Sequence, residues 1–238
     1  MEATFRDRAL VLDETLVCAD LHIGKGRTAN VDLPLGEREN IVDRLEALLA
    51  AHDIERVVFA GDVLHSFDRV PADAEGTLTA LIRTVGDAGA ELVVIRGNHD
   101  TMLETLWNGT VHDEYVLDAV PGVGADGAGT AVVCHGHHEP TTEAELYVVG
   151  HDHPTITIEG QKWHCYLYGP GVYRGADVLV LPAFSHLVEG VPVDGRYGPP
   201  SLMSPLVSDL DRFRPVVRDE TAGETRTFPA LGEFRHLL

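Results

Sequence analysis

Glu91-Leu92-Val93-Val94-Ile95-Arg96-Gly97-Asn98-His99-Asp100 begins as a short β-branched run and ends on a glycine followed by three residues with reactive side chains. Five such residues match the length of a buried strand, and a glycine just beyond them lets the backbone turn sharply. The same figure recurs. Upstream, Thr15-Leu16-Val17-Cys18-Ala19 leads into Asp20-Leu21-His22-Ile23-Gly24, and Arg56-Val57-Val58-Phe59-Ala60 leads into Gly61-Asp62. Downstream, Thr130 to Cys134 leads into His135-Gly136-His137-His138, and Glu145 to Val149 into Gly150-His151-Asp152-His153-Pro154. Sites in α/β sheets form beyond the carboxyl ends of strands, so these five tips are expected to converge in one crevice.

Helical patterns separate the early strands. Gly36 to His52 places Ile41, Leu45, Leu48 and Leu49 at helical spacing, and Thr77 to Val85 does the same with Leu78, Leu81, Ile82 and Val85. Leu10-Val11-Leu12 reads as the first arm of a hairpin with Thr15 to Ala19. The final third differs: from Pro170 onward it holds eight of the 13 prolines and no amphipathic helix pattern. Trp163 to Tyr168 and Val178 to Leu181 read as strands there, and Tyr197 to Pro205 as an irregular loop. No repeat or linker divides the chain, so residues 1–238 are expected to form one domain. Early βα alternation followed by a strand-rich half implies two sheets packed together with helices outside.

Composition bounds the surroundings. The chain has 238 residues, 38 Asp and Glu against 18 Lys and Arg, and a formal net charge of -20; only Lys25 and Lys162 are lysines. Such a charge excludes capture of nucleic acid or anionic membrane by a broad basic surface. The acids are dispersed and the hydrophobic fraction is 44%, which implies an acidic folded surface suited to a salt-rich cytoplasm rather than a disordered tail. No apolar run approaches the ~20 residues of a membrane helix, and Met1 to Leu10 has no signal-peptide core. Cys18, Cys134 and Cys165 are too widely spaced for a zinc motif and read as reduced core thiols.

The tip residues combine aspartates, one carboxamide and several imidazoles. Mixed oxygen and nitrogen donors suit Mn, Fe or Zn, and a carboxylate such as Asp62 can bridge two ions. The order Asp-x-His, Gly-Asp, Gly-Asn-His-Asp, His and Gly-His-x-His, spanning Asp20 to His153, resembles the calcineurin-like metallophosphoesterase superfamily. The resemblance implies an α/β fold, a four-layer αββα sandwich of two mixed sheets flanked by helices, with two divalent ions, manganese first and Fe, Zn or Ni as alternatives. It assigns Asp20, His22, Asp62 and His153 to one ion, and Asp62, Asn98, His135 and His151 to the other, with Asp62 between them. It makes His99 the catalytic histidine, with Asp100 orienting it, and a metal-bound hydroxide the nucleophile. Lys25 and His137 are expected to touch substrate.

The flanks are similar to archaeal phosphoesterases related to the SbcD nuclease and to ligase-associated DNA-repair phosphodiesterases. They share the opening Asp20 to Lys25, the late Leu181-Pro182-Ala183-Phe184 and the stretch Glu189-Gly190-Val191. Asp62 is followed by Val63-Leu64-His65-Ser66-Phe67 with no Asp-Arg-Gly, unlike serine/threonine phosphatases. The resemblance therefore implies a cytoplasmic phosphodiesterase or nuclease acting on a phosphodiester substrate, single-stranded DNA or a nucleotide, in DNA repair. A nucleotide or cyclic-nucleotide phosphohydrolase is the alternative within the class. A non-catalytic scaffold is the alternative outside it, marked by loss of a histidine that this chain keeps as His99. Trp163, Tyr166 and Tyr168 fit either stacking on a base or a sheet core, and His65 either a pocket wall or the surface.

Overall fold

A computed structural model describes residues 2–27, 36–65, 68, 70, 73–195 and 202–237. Two mixed sheets lie face to face. The first runs β1 (Thr4–Arg6), β2 (Ala9–Leu12), β3 (Thr15–Cys18), β4 (Arg56–Ala60), β5 (Glu91–Ile95) and β6 (Val111–His112) in spatial order. Its first three strands form an antiparallel meander, and β3 to β6 are parallel. The second sheet contains β7 (Glu114–Pro121), β8 (Ala128–Cys134), β9 (Leu146–Val149), β10 (Pro154–Ile158), β11 (Gln161–Tyr173), β12 (Ala176–Val180) and β13 (Val191–Pro192), with β14 (Arg214–Asp219) and β15 (Glu224–Thr227) branching from β11. At its centre β8, β9 and β12 run parallel.

Strand alternation explains the layers, because successive side chains point to opposite faces. In β4, Val58 and Ala60 join the core between the sheets, where they meet Ala131, Val133, Val148 and Leu179. Val57 and Phe59 point outward, against Ile41, Leu45 and Leu48 of α1 (Glu37–Ala51) and Leu78, Leu81 and Val85 of α2 (Ala74–Asp87). The helices thus cover the first sheet with the residues their spacing predicts. Val132, Tyr147, Val149 and Val180 face away on the other side. Their cover is Leu206, Val207, Phe213 and the short α3 (Leu231–Phe234), so among the described residues the outer layer there is turns, short 3-10 segments and one four-residue helix. That thin layer matches the proline-rich, helix-poor composition of the final third.

Several expected elements are found with small changes of length. The helix expected over 36–52 spans Glu37–Ala51, and the one over 77–85 extends to Ala74–Asp87. The strand expected at 163–168 is part of the longer Gln161–Tyr173. The start of the Tyr197–Pro205 loop lies outside the described residues. Its end is pinned to a site loop, since Asp152 accepts the Met203 and Ser204 N–H groups at 2.7 and 3.2 Å. All three cysteines are free and buried, and burial pushes the Cys18 and Cys134 thiols up to about 12. Among the described residues no helix is long and apolar enough to cross a membrane.

Candidate metal centre

The tips after β3, β4 and β5 leave one end of the first sheet, and those after β8 and β9 leave one end of the second. Beyond the strands the backbones remain paired. The Asp20 and His22 N–H groups donate to the Gly61 and Asp62 carbonyls at 3.1 and 2.9 Å, and Ile23 donates to Val63 at 2.9 Å. Between the sheets, His135 Nδ1 donates to the Ala60 carbonyl at 3.0 Å. The late Leu-Pro-Ala-Phe segment closes the frame: Leu181 donates to Val149, Phe184 to Ala19 and Ser185 to Asp20. The glycines of the tips have steric causes. A Cβ on Gly61, whose φ is +83°, would lie 2.5 Å from the His135 ring; one on Gly97 would lie 2.1 Å from the Asp62 amide and carboxylate.

Among the described residues three groups of donors result: His22, His65 and His99 form one without a carboxylate, and the other two each carry one. Asp20, His22 and His153 bring their ligand atoms within 4.8 Å of one another, and so do Asp62, His135 and His151. His153 Nε2 is 3.0 Å from Asp20 Oδ1 and 3.4 Å from His22 Nε2. Asp62 connects the groups, with Oδ2 3.8 Å from His22 Nε2 and Oδ1 3.4 Å from His135 Nε2. Asn98 Oδ1 lies 3.1 Å from His135 Nε2, so the carboxamide joins the second group. Of the nine expected donor and catalytic positions, all but Asp100 therefore face one crevice.

The donor set fits divalent ions. Asp20 and Asp62 are 0% and 2% exposed, and buried carboxylates need cations or charged hydrogen-bond partners. Here imidazoles serve. Burial works to raise the Asp62 carboxyl, but His135, His22 and the His99 amide outweigh it and hold it far below the usual carboxylate range. Burial likewise opposes ionisation of Asp20, and His153 and His135 outweigh it. Burial lowers His135, yet Asp62 and Asp20 lift it to about 9. At His22 burial, helped by His153 and His99, outweighs Asp20 and Asp62 and pushes it down to about 3, which leaves a neutral imidazole with a lone pair to donate. The His135 Nδ1–H bond to Ala60 leaves Nε2 as its inward donor atom.

His99 is placed by its backbone and by Nδ1. Its N–H donates to Asp62 Oδ1 at 2.9 Å, Nδ1 faces the His65 carbonyl at 2.8 Å, and Nε2 lies 3.8 Å from Asp62 Oδ2. Asp100 does not orient it, contrary to the expectation from sequence. The Asp100 carboxylate is buried and accepts the Val63, Leu64 and Gly97 N–H groups at 3.2, 2.9 and 2.9 Å. It therefore ties the two loops together, and the His65 carbonyl holds the His99 ring. His65 was legible only as a neighbour of Asp62. Its ring stacks on His99 at 5.8 Å, and its Nδ1 approaches His22 Nδ1 at 3.4 Å.

His137 sits beside the second group, 5.1 Å from the His135 ring and 6.1 Å from His151, with a buried Nδ1 that has no partner among the described residues. Burial and neighbouring histidines push it down to about 4. Lys25 begins a one-turn 3-10 helix, its N–H bonded to the His22 carbonyl at 3.1 Å. Tyr166 belongs to the inter-sheet core and donates to Ala9, and Tyr168 bonds Asp177; neither is a free stacking platform.

Fold and site together define a metal-dependent phosphoester hydrolase. A sequence model described as calcineurin-like phosphoesterase matches residues 14–185, and the chain belongs to that family. Among solved structures, the chain is similar to the Pseudomonas putida nuclease MPE, with 25% identity, a TM-score of 0.62, and coverage of 93% of this chain and 92% of that one. The phosphoesterase YfcE from E. coli matches at 16% identity and TM-score 0.47, covering 91% of this chain and 98% of that one. A dimetal phosphatase from Danio rerio matches at 10% and 0.40, with the same coverages. No curated protein sequence matches this chain.

Proposed function

We propose that the chain is a two-metal phosphodiesterase, acting as a nuclease on single-stranded DNA or a related phosphodiester. The observation that carries this reading is the pair of adjoining donor groups linked by Asp62. Asp20, His22, Asp62 and His153 would hold one divalent ion, and Asp62, Asn98, His135 and His151 the other. Two such ions, manganese first on the mixed donor set, supply Lewis-acid polarisation of the phosphate and an acidified water. The chain's own groups do the rest. The Asn98 carboxamide, beside His135, is placed to steady a phosphate oxygen. His99, fixed through Nδ1 on the His65 carbonyl, presents Nε2 to the crevice and in its protonated form hands that proton to the leaving oxygen. His137 and Lys25 flank opposite donor groups, as substrate contacts would.

The nuclease relationship of the Pseudomonas putida structure supports the diester preference, and the missing Asp-Arg-Gly after Asp62 agrees with it. A DNA-repair setting in a salt-rich cytoplasm is the biological reading of the same features. We also read residues 1–238 as one domain, supported by the core shared between both sheets. The test is manganese-dependent hydrolysis of bis-p-nitrophenyl phosphate and of the corresponding monoester in molar KCl. Diester turnover is expected; turnover of the monoester alone would overturn the diesterase reading. His99→Ala should lower kcat by roughly 10²–10⁴-fold while bound manganese, counted by elemental analysis, stays at the wild-type stoichiometry.

A further inference from the structure

A second polar cavity of about 300 Å³ adjoins the metal-centre loops. It is walled by the β1–β2 turn, the start of β11, the segment after β12 and the end of β14, and it contains Arg8, Lys162, His164 and Arg218. In a chain of charge -20, it gathers one of only two lysines with two arginines. Its three acids already have partners, some of them in the same wall. Asp7 accepts Arg44 Nε at 2.6 Å, Glu220 accepts the Asp7 N–H at 2.6 Å and faces Arg218, and Asp219 accepts the Thr221 and Ala222 N–H groups.

The cations are less committed. Arg8 spends one guanidinium nitrogen on the Ser185 carbonyl at 2.9 Å. Lys162 is exposed, on the same face of β11 as His164 and Tyr166. The buried Nδ1 of His164 has no hydrogen-bond partner among the described residues, and a buried polar atom left so is short of a ligand. Burial, then Arg8, Lys162 and His186, push this imidazole down to about 3.

The cavity is also tied to the metal-centre loops. His164 pairs across the sheet with Thr155, two residues after His153. On the other wall, Ser185 accepts Arg8 and donates its own N–H to the Asp20 carbonyl at 3.3 Å. The cavity and the donor loops thus share neighbouring segments on both walls.

We propose that Arg8, Lys162 and His164 form a second phosphate subsite that holds a backbone phosphate of a single-stranded nucleic acid whose scissile diester lies at the metal centre. The inference rests on the phosphodiesterase reading above, and extends it from bond type to polymer. Arg8 and Lys162 supply the charge and His164 a directed hydrogen bond. Binding at one small pocket accounts for how a strongly acidic protein handles a polyanion without a basic face.

The test measures binding and chemistry separately. Fluorescence anisotropy of a labelled twelve-residue oligothymidylate is followed in EDTA between 50 and 300 mM KCl, for the wild type, Lys162→Gln and Arg8→Gln. Each variant should bind about fivefold more weakly, and the slope of log K against log salt should flatten by about 0.7 for each lost single-strand contact. Manganese-dependent turnover of bis-p-nitrophenyl phosphate, too short to span both sites, should stay within twofold for Lys162→Gln. Unchanged oligonucleotide affinity and slope would overturn the subsite, and so would a parallel fall on the small diester. Inorganic phosphate displacing the oligonucleotide at lower concentration than a dinucleotide does, with dependence on Lys162, would reassign the pocket to free phosphate and overturn the strand. A wild type that hydrolyses no diester yet keeps Lys162-dependent, salt-dependent binding would sink the phosphodiesterase reading and uphold the subsite.

Discussion

Asp20, His22, Asp62, His151 and His153 all have positive φ, between 46° and 70°. That region costs an L-residue roughly 1–2 kcal/mol, less for Asn or Asp. Five donor positions in it form a reservoir of strain at the crevice, held in place by the paired backbones of the tips. His151 gives a clean measure, because Asn and Ala both remove the ring but only Asn tolerates the left-handed region. In the metal-free protein, His151→Asn should be more stable than His151→Ala by about 1 kcal/mol, or roughly 2–4 °C in Tm. Equal melting temperatures by circular dichroism would show that the strain is relaxed. His164 tests a different residue-level property. Its folded pKa is pushed down to about 3, while the unfolded chain takes a proton near 6.5. Stability from the neutral form is thus present above pH 6.5 and is lost as pH falls toward 3. His164→Leu should lose less stability than the wild type between pH 7 and pH 5, within the one-proton limit of about 1.4 kcal/mol per pH unit. Parallel losses in urea titrations at the two pH values would contradict this. At this scale residue type and spacing were enough to single out the residues that the fold gathers into these groups, because they stand within a few residues of a glycine at a strand end. They could not find the His65 carbonyl under His99, since a backbone acceptor leaves no mark in side-chain chemistry. They also misassigned Asp100, whose three backbone bonds depend on how close two loops come.

At the scale of elements, legibility followed burial pattern. β4, β5 and β9 are nearly continuous apolar runs between helices or turns, the signature of strands covered on both faces. β15, Glu-Thr-Arg-Thr, is exposed throughout and carries no apolar signal, and β14 contains Pro215, which argues against a strand when read alone. β14 exists because β11 offers a partner, and β15 because β14 does. Another element-level contact was equally hidden. Arg44 of α1 donates through Nε to the Asp7 carboxylate and through Nη2 and Nη1 to the Asp7 and Phe184 carbonyls, each at 2.6 Å. Its guanidinium also lies 4.1 Å from the Phe184 ring centroid. One side chain therefore clamps α1, the β1–β2 turn and the Phe184 end of the Leu-Pro-Ala-Phe segment, the end that also holds the Asp20 loop. Burial opposes ionisation of Asp7, but His186 and Arg44 outweigh it and keep the carboxyl below its usual range. Arg44→Ala should cost about 3 kcal/mol, the lower end for breaking a mostly buried ion pair. Arg44→Lys should recover little, since an ammonium cannot make three bonds and a stacking contact at once. Recovery of the wild-type urea midpoint in the lysine variant would reduce the clamp to a simple charge pair.

For the whole molecule the dominant quantity is the charge of -20. Coulomb repulsion between two like charges 10 Å apart in water is about 0.4 kcal/mol, cut by screening to about 0.15 at 0.1 M salt and about 0.02 at 1 M. Each pair is weak, but 20 excess charges spread over one surface each have several such neighbours. Their summed relief on moving from 0.1 to 1 M salt is on the order of 2 kcal/mol. The unfolded chain spreads the same charges further apart and gains less. Tm should therefore rise with KCl by about 4–8 °C over that interval, for a chain of this length. Sodium and potassium chloride should act alike, because the effect is screening rather than a specific ion site. The metal centre provides an internal control. Its carboxylates are buried and paired with imidazoles, so they contribute little to surface repulsion, and Asp20→Asn should leave the salt slope of Tm unchanged even as it removes metal binding. A Tm that is flat in salt would mean that the local arginine pairs already neutralise the surface, and the acid excess would then say nothing about the solvent in which this protein works.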